Sequence, residues 1–324
     1  MTLLQTLLRA TAFRSPLLRT LVPSVALAYG IQTAVAIPSV IAQTERFYDL
    51  SGSLTYLSCT ALSLTLPYLR AKNSGAIAGI AEYLGRGANG AGIWWWRQAV
   101  LSAAVGIWAT RLGTYLFKRI SSDGHDSRFD KIRTSPPKFY VAWFAQATWV
   151  SLCLLPVVLT NSLPKSAFGL FSGISAKPYL SDILGLSLFV FGLMFEVAAD
   201  RQKSQWSQER KEKKHSEEFL TRGLWSKSRH PNYFGEATLW SGIALTAAGL
   251  LVRSPAQAGL GLSSFWGKVL VSGLCAASPA FVSFLLLKVS GVPMSESKYD
   301  RKFGDRKDYK AWKENTPMFF PKLF

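Results

Sequence analysis

Residues 222–240 read RGLWSKSRHPNYFGEATLW. Three cations and a histidine precede Pro231, and an amide, a phenol and a carboxylate follow it at the head of an apolar run. Proline suits the first turn of a helix, where its missing N–H costs nothing. The spacing therefore predicts a helix that begins near 231 and carries Asn232, Tyr233 and Glu236 in its first two turns. Such a start presents unpaired amides and a partial positive charge, which makes it an anion site. Arg222, Lys227 and Arg229 add mobile cations there, a cradle for phosphates. Glu236, one turn further in, needs a hydrogen-bond donor to stay. Because the run continues apolar to Val252, this ionisable chemistry stands at the edge of a membrane helix.

The rest of the chain supplies the bundle around it. The 324 residues are 49% hydrophobic and 17% charged, with a mean hydropathy of +0.16. A bilayer core needs about 20 mainly apolar residues per helix. Seven stretches qualify or nearly do: 21–42, 50–69, 92–117, 139–160, 180–199, 234–252 and 269–289. They predict an all-α, polytopic membrane bundle of about seven transmembrane helices with a cytosolic C-terminus, embedded in a lipid bilayer as its first partner.

The formal charge of +18 would raise nucleic acid as a partner for a soluble protein. Its distribution argues otherwise. Segments 118–138, 201–230 and 288–324 hold six, nine and nine of the 37 Lys and Arg, while 70–93, 161–179 and 253–268 hold three, two and two. Alternate loops are basic, as the positive-inside rule requires when they face the cytosol, and no nucleic-acid partner is expected. Seven spans then put the N-terminus on the far side, against the pull of Arg9, Arg14 and Arg19 and with no acid before Glu45. Either the first helix is re-entrant or interfacial, or residues 1–42 include a processed presequence of the Arg-rich, acid-poor type. Residues 43–324 form the main membrane domain.

Cys59, Cys153 and Cys275 are each alone in apolar segments and support neither a disulfide nor a metal site. His125, His215 and His230 are too few for a His-rich iron site, which excludes a di-iron desaturase. After the second span a Gly/Ala-rich loop, residues 72–92, reads as a surface helix with turns, and Trp94 to Trp96 stand where an aromatic belt belongs.

Two further segments carry chemistry. In FEVAADRQ, residues 195–202, Glu196 and Asp200 are four apart and share a helical face at the end of a span; near-membrane carboxylates face the bundle interior with a partner, either a ligand or merely a neighbouring cation. The charged run that follows, to Leu220, reads as a surface helix. The tail from Gly291 is a basic, Tyr- and Trp-bearing helix ending in MFFP, and by charge pattern alone is a membrane-surface helix. The loop DGHDSRFDKIRTSPP, residues 123–137, and Asp49 in ERFYDLSGSL are each open to an ordinary reading as loop ion pair or helix cap.

At these residues the chain resembles the membrane steroid 5-alpha-reductase superfamily, most closely its DUF1295 branch. The resemblance rests on FEVAADRQ, RGLW and RHPNYFGE in that order, on the closing GVP, Tyr309 and MFFP, and on DSRFDKIR. It implies a helical bundle that holds NADPH in a cytosol-facing cavity and reduces an activated C=C bond of a lipophilic enone by hydride transfer. It further implies cofactor contacts from Asp200, Arg222, Arg229, His230, Asn232, Tyr233 and Glu236, with Asn232 and Glu236 toward the nicotinamide and the cations toward the phosphates. Lys298 and Tyr309 fall where the family closes over the cofactor. The proton donor is expected to be Tyr233 or a protonated carboxyl at Glu196 or Asp49. The carbonyl-binding Glu and Tyr of the steroid-reducing branch find only loose counterparts in Tyr48, Asp49 and Tyr56, which argues against a steroid. The endoplasmic reticulum is the expected membrane, with a mitochondrial membrane as the alternative.

Two rivals remain at this point. Isoprenylcysteine carboxyl methyltransferases carry a similar Arg-His-Pro-x-Tyr but bind S-adenosylmethionine; Asn232, Glu236 and FEVAADRQ favour the reductase. A non-catalytic lipid- or sterol-binding scaffold keeps the fold without the reaction, and its signature, broken cofactor residues, is absent from these motifs.

Overall fold

Apolar length becomes helix along the chain, and the computed structural model describes residues 2–85, 96–164, 167 and 177–322. Trp94 and Trp95 of the expected aromatic belt lie outside the described residues. In chain order the helices are α1 Leu3–Ala10, α2 Pro16–Ile41, α3 Tyr48–Asn73, α4 Ile80–Gly85, α5 Trp96–Asp123, α6 Pro136–Cys153 and α7 Leu155–Asn161, then α8 Leu180–Lys211, α9 Pro231–Leu251, α10 Ser254–Leu260, α11 Phe265–Phe284, α12 Val292–Phe303 and α13 Lys307–Asn315. A single π-helical turn, Leu285–Val289, follows α11.

Helices α2, α5, α8, α9 and α11 are long and apolar enough to cross a membrane, and α6 with α7 makes a sixth crossing when taken as one span bent by 53°. The bend falls where Pro156 opens α7, since proline removes a helical hydrogen bond and crowds the preceding turn. The second expected span forms as α3, with 26 residues, but its composition is more polar than the others. Its Ser51, Ser53, Thr55, Thr60 and Ser63 are buried, so the polarity faces protein and not lipid. Ile107, Val141, Ile183, Met194 and Phe284 stand more than half exposed on other helices, as lipid-facing side chains do. The chain is an integral, multi-pass, all-helical membrane protein.

The fold divides into two units, Met1–Ile183 with Ile243–Ser278, and Leu184–Gly242 with Pro279–Phe324. In the first, α2, α3, α5 and α6 pack around Tyr56, Trp108 and Trp143. A group of polar side chains inside this bundle pairs with one another, as the lack of water at that depth favours. Gln146 Nε2 donates to Tyr48 O at 2.9 Å and to Gln32 Oε1 and Ser51 Oγ at 3.2 Å, and Gln32 Nε2 donates to Thr55 Oγ1 at 2.7 Å. Gly52 permits this: a Cβ there would lie 2.7 Å from Gln146 Nε2.

The two ends of the first unit carry different clasps. At the end of α3, Arg70 donates to the carbonyls of Leu8, Thr11 and Arg19 and to Thr11 Oγ1, which ties α1 and the entry of α2 to that end. At the start of α3, Asp49 accepts from Arg128 at 2.8 and 3.0 Å, and Asp126 and Arg119 join the same cluster. Residues 2–19 therefore sit at the end of the unit opposite the basic loop 124–135. At Arg97 a third clasp is fully buried: its guanidinium pairs with Asp182 at 2.6 Å and lies 4.3 Å from the rings of both Trp96 and Tyr179.

Candidate functional site

In the second unit, α8 and α9 approach backbone to backbone through glycines. A Cβ on Gly235 would lie 2.6 Å from Glu196 N, one on Gly192 2.5 Å from Leu239 N, and one on Gly242 2.4 Å from Gly185 O. Small residues at such a seam let membrane helices pack closely. The seam sets the first turns of α9 directly against the turn of α8 that carries Glu196 and Asp200, which are 2% and 4% exposed. The expected shared face is thus turned inward, toward the start of α9.

The helix starts where Pro231 requires. Phe234 N donates to His230 O at 3.2 Å in the first helical bond. Just ahead of it, Arg229 N donates to Pro317 O at 2.9 Å, Lys322 N to Lys227 O at 2.9 Å, and Ser228 Oγ to Phe319 O at 2.9 Å. The MFFP tail therefore runs alongside residues 227–229 and holds the entry to α9. Asn232 Oδ1 is buried and has no hydrogen-bond partner, an uncommon and costly state for an amide.

Beside this start opens a narrow, partly enclosed cleft with a cavity volume of about 50 Å³. Trp206, Trp225, Tyr299, Tyr309 and Trp312 supply flat apolar wall, and Lys203, Arg229 and His230 supply basic groups. Glu296 of α12 is the only carboxylate among the described lining residues; it lies 3.2 Å from Arg229 Nη1, 3.3 Å from His230 Nε2 and 3.3 Å from Lys313 Nζ. The imidazole of His230 stacks on Tyr233 with centroids 5.3 Å apart and planes 3° from parallel. Burial holds this imidazole below its ordinary pKa, outweighing the upward pull of Glu296. At the rim, Tyr309 donates to Asp300 Oδ1 at 2.8 Å, and Lys313 pairs with Asp300 at 2.6 Å; burial first, and then the Asp300 carboxylate, push the phenol upward. Phe219, Phe303, Tyr309 and Trp312 pack as one aromatic cluster under α12 and α13.

The expected site residues distribute unevenly over this geometry. Arg229, His230 and Tyr309 line the cleft, with Asn232, Tyr233 and Glu236 in the adjoining first turns of α9 and Glu196 and Asp200 on α8. Arg222 lines a neighbouring groove of about 190 Å³, which shares Trp206 and Leu220 with the cleft. It is 48% exposed and paired with Glu217 at 3.0 Å and Glu209 at 3.5 Å. Gly223 beside it adopts φ +60°, tucked against Gln202, whose Oε1 accepts from Leu224 N at 2.9 Å. Lys298 is exposed and outside the cleft lining. Asp49 belongs to the first unit, where Arg128 engages both of its oxygens. Sequence reasoning missed Lys203, Trp206, Glu296, Lys313 and Trp312. Lys203 and Trp206 had a signal, standing three and six residues beyond Asp200 on the same helix; Glu296, Trp312 and Lys313 face the site from sequence distances at which no periodicity speaks. Among the described residues no group of three or more His, Cys, Asp or Glu is placed to hold a metal ion.

A family model described as a protein of unknown function, DUF1295, matches residues 76–316. The chain belongs to the DUF1295 family. No curated protein and no solved structure matches it. The DUF1295 match contains every lining residue of the cleft, from Lys203 to Trp312, and the glycine seam of α8 and α9. It begins after Asp49, α2 and α3. The motifs that resemble the steroid 5-alpha-reductase superfamily at residues 195–202 and 222–236 lie wholly inside it.

Proposed function

We propose that this protein is an integral membrane oxidoreductase that takes NADPH into the cleft of its second unit and reduces an activated C=C bond of a lipophilic enone. The observation that carries this reading is Asn232, whose buried Oδ1 lacks a donor at the head of α9 beside a cation-bearing aromatic cleft. An unsatisfied buried polar group costs about 1–3 kcal/mol, and a ligand carboxamide removes that cost by donating to it. The rest of the lining fits the same ligand. The Trp206 and Trp225 faces suit a flat base, Arg229 and Lys203 suit phosphates, and Arg222 in the adjoining groove extends the cationic reach.

When bound, the cofactor supplies a hydride, and the protein supplies alignment, dryness and a proton. Asn232 and Glu236 orient the nicotinamide end from one helical face, four residues apart. Tyr233, held flat against His230, and Glu196, buried beneath Gly235, are the proton donors the second unit offers. Asp49, with both oxygens engaged by Arg128, is the weaker candidate. Asp200, Lys298 and Tyr309 complete the cofactor set carried by the family resemblance, with Tyr309 alone of the three in the cleft wall.

The test is thermal unfolding of the detergent-purified protein with NADPH, NADH and S-adenosylmethionine in parallel. A ligand at about 100 times its dissociation constant stabilises the native state by about 2.7 kcal/mol. Stabilisation by NADPH that is lost in Asn232→Ala is the expected result. A shift with S-adenosylmethionine alone transfers the site to a methyltransferase, and a folded protein that responds to none of the three is a scaffold.

A further inference from the structure

Glu296 is held in an unusual way. Three groups converge on it from two segments: the neighbours Arg229 and His230 just before α9, and Lys313 of α13, at 3.2, 3.3 and 3.3 Å. Charge-assisted contacts between nitrogen and oxygen settle at about 2.7–2.9 Å when they are fully made. Lys313 makes such contacts elsewhere, at 2.6 and 2.8 Å to Asp300, so its contact with Glu296 is the secondary one. Arg229 keeps its buried Nε without a partner even while Nη1 faces Glu296. The cleft thus presents more donor capacity than a single carboxylate uses, and the carboxylate sits at the focus of the donors.

We propose that Glu296 is a resident anion, occupying the place of a ligand phosphate and fastening α12 over the cleft until a phosphate displaces it. A phosphate oxyanion is a better acceptor set for this spot. It brings three oxygens to the Nε and Nη atoms of Arg229, to His230 and to Lys313, whereas Glu296 reaches them with two at long range. Displacement frees α12 at that point, so Glu296 acts as a gate on ligand entry and its removal tightens anion binding. A Glu296 that contacted the ligand directly, by accepting from a ribose hydroxyl, has the opposite signature. The proposal rests on the phosphate-binding reading of the cleft but not on the identity of the phosphate carrier.

The experiment is titration calorimetry on the full chain in detergent, wild type against Glu296→Gln, with inorganic pyrophosphate, ADP and NADPH as separate probes. If the closed state holds about nine-tenths of the population, abolishing it tightens apparent binding about tenfold. The expected result is that Glu296→Gln binds all three probes about tenfold more tightly than wild type. Glu296→Asp, shortened by one methylene and drawn back from Arg229, tightens in the same direction and carries the test should the glutamine variant fail to fold. Binding that is unchanged or weaker in these variants, with NADPH still bound by wild type, overturns the gate and leaves the reductase reading standing. Tighter pyrophosphate binding in the variants, with no NADPH binding in either protein, keeps the gate and overturns NADPH. No anion binding in either protein overturns both.

Discussion

Adding one methyl group to a glycine of this protein should have opposite effects at two positions, and the structure sets both signs. At Gly235 a Cβ would lie 2.6 Å from Glu196 N, 2.8 Å from Gly192 O and 2.9 Å from Glu196 Cα. All three are backbone atoms, and the shortest distance is about 0.8 Å short of the 3.4 Å at which ordinary contact begins. Rotating a side chain cannot relieve it, so α8 and α9 must separate. Overpacking of this kind costs about 1–3 kcal/mol, against a gain of about 0.4–1 kcal/mol from the stiffer unfolded chain. The net for Gly235→Ala is a loss of about 1–2 kcal/mol, a Tm lower by about 2–6 °C on the scaling for large domains. Gly30, exposed within α2, has nothing within 4 Å of its Cβ position, so Gly30→Ala keeps only the gain and should raise Tm slightly or leave it unchanged. The assay is thermal unfolding of both variants in one detergent, followed by tryptophan fluorescence. A Gly235→Ala protein as stable as Gly30→Ala would refute the backbone contact between these helices.

Arg97→Ala should cost about 3–5 kcal/mol, because it leaves Asp182, 1% exposed, as an uncompensated buried charge; Arg97→Lys should not restore it, since a lysine lacks the planar fork that lies between the Trp96 and Tyr179 rings. Size-exclusion elution after heating reads both, and full recovery in the lysine variant contradicts the assigned geometry. His230 gives a pH dependence. Its folded pKa lies below 6.5, mainly through burial, with Glu296 raising it and Lys203 and Arg229 lowering it. A histidine with a depressed folded pKa stabilises the native state above its unfolded pKa, and that stability is lost as pH falls through the folded value. Wild type should therefore lose Tm as pH drops below about 6.5, and His230→Asn should flatten that slope; parallel slopes in the two proteins remove His230 from the account.

Apolar length and loop charge made the membrane class legible, and Pro231 marked the true start of α9 because its lost N–H has one comfortable place in a helix. The inward face shared by Glu196 and Asp200 was also legible, since helical spacing alone brings them together. Composition was a poorer guide at α3, where the Ser and Thr residues that lower its hydropathy are the ones that pack inward against Gln32 and Gln146. In the site, the cation Arg222 looked free in the motif but is paired with Glu217, five residues before it. Glu296 and Lys313 were invisible for a different reason. Glu296 meets Arg229 and His230 across 66 or more residues of chain and Lys313 joins it from α13, and a contact of that range leaves no mark in local periodicity.

The tail that lies along residues 227–229 has a bearing on timing. Arg229 N, Ser228 Oγ and Lys227 O all find their partners within residues 317–322, a stretch that the ribosome delivers after α8, α9, α12 and α13. Domains assemble during synthesis as their segments emerge, yet the entry to α9 stays unfinished until this stretch arrives, although α9 itself was made some eighty residues earlier. The nascent chain therefore inserts its helices first and completes the entry to α9 only once residues 317–322 have emerged. A ribosome stalled before residue 317 leaves a membrane-inserted intermediate in which that entry is unfinished.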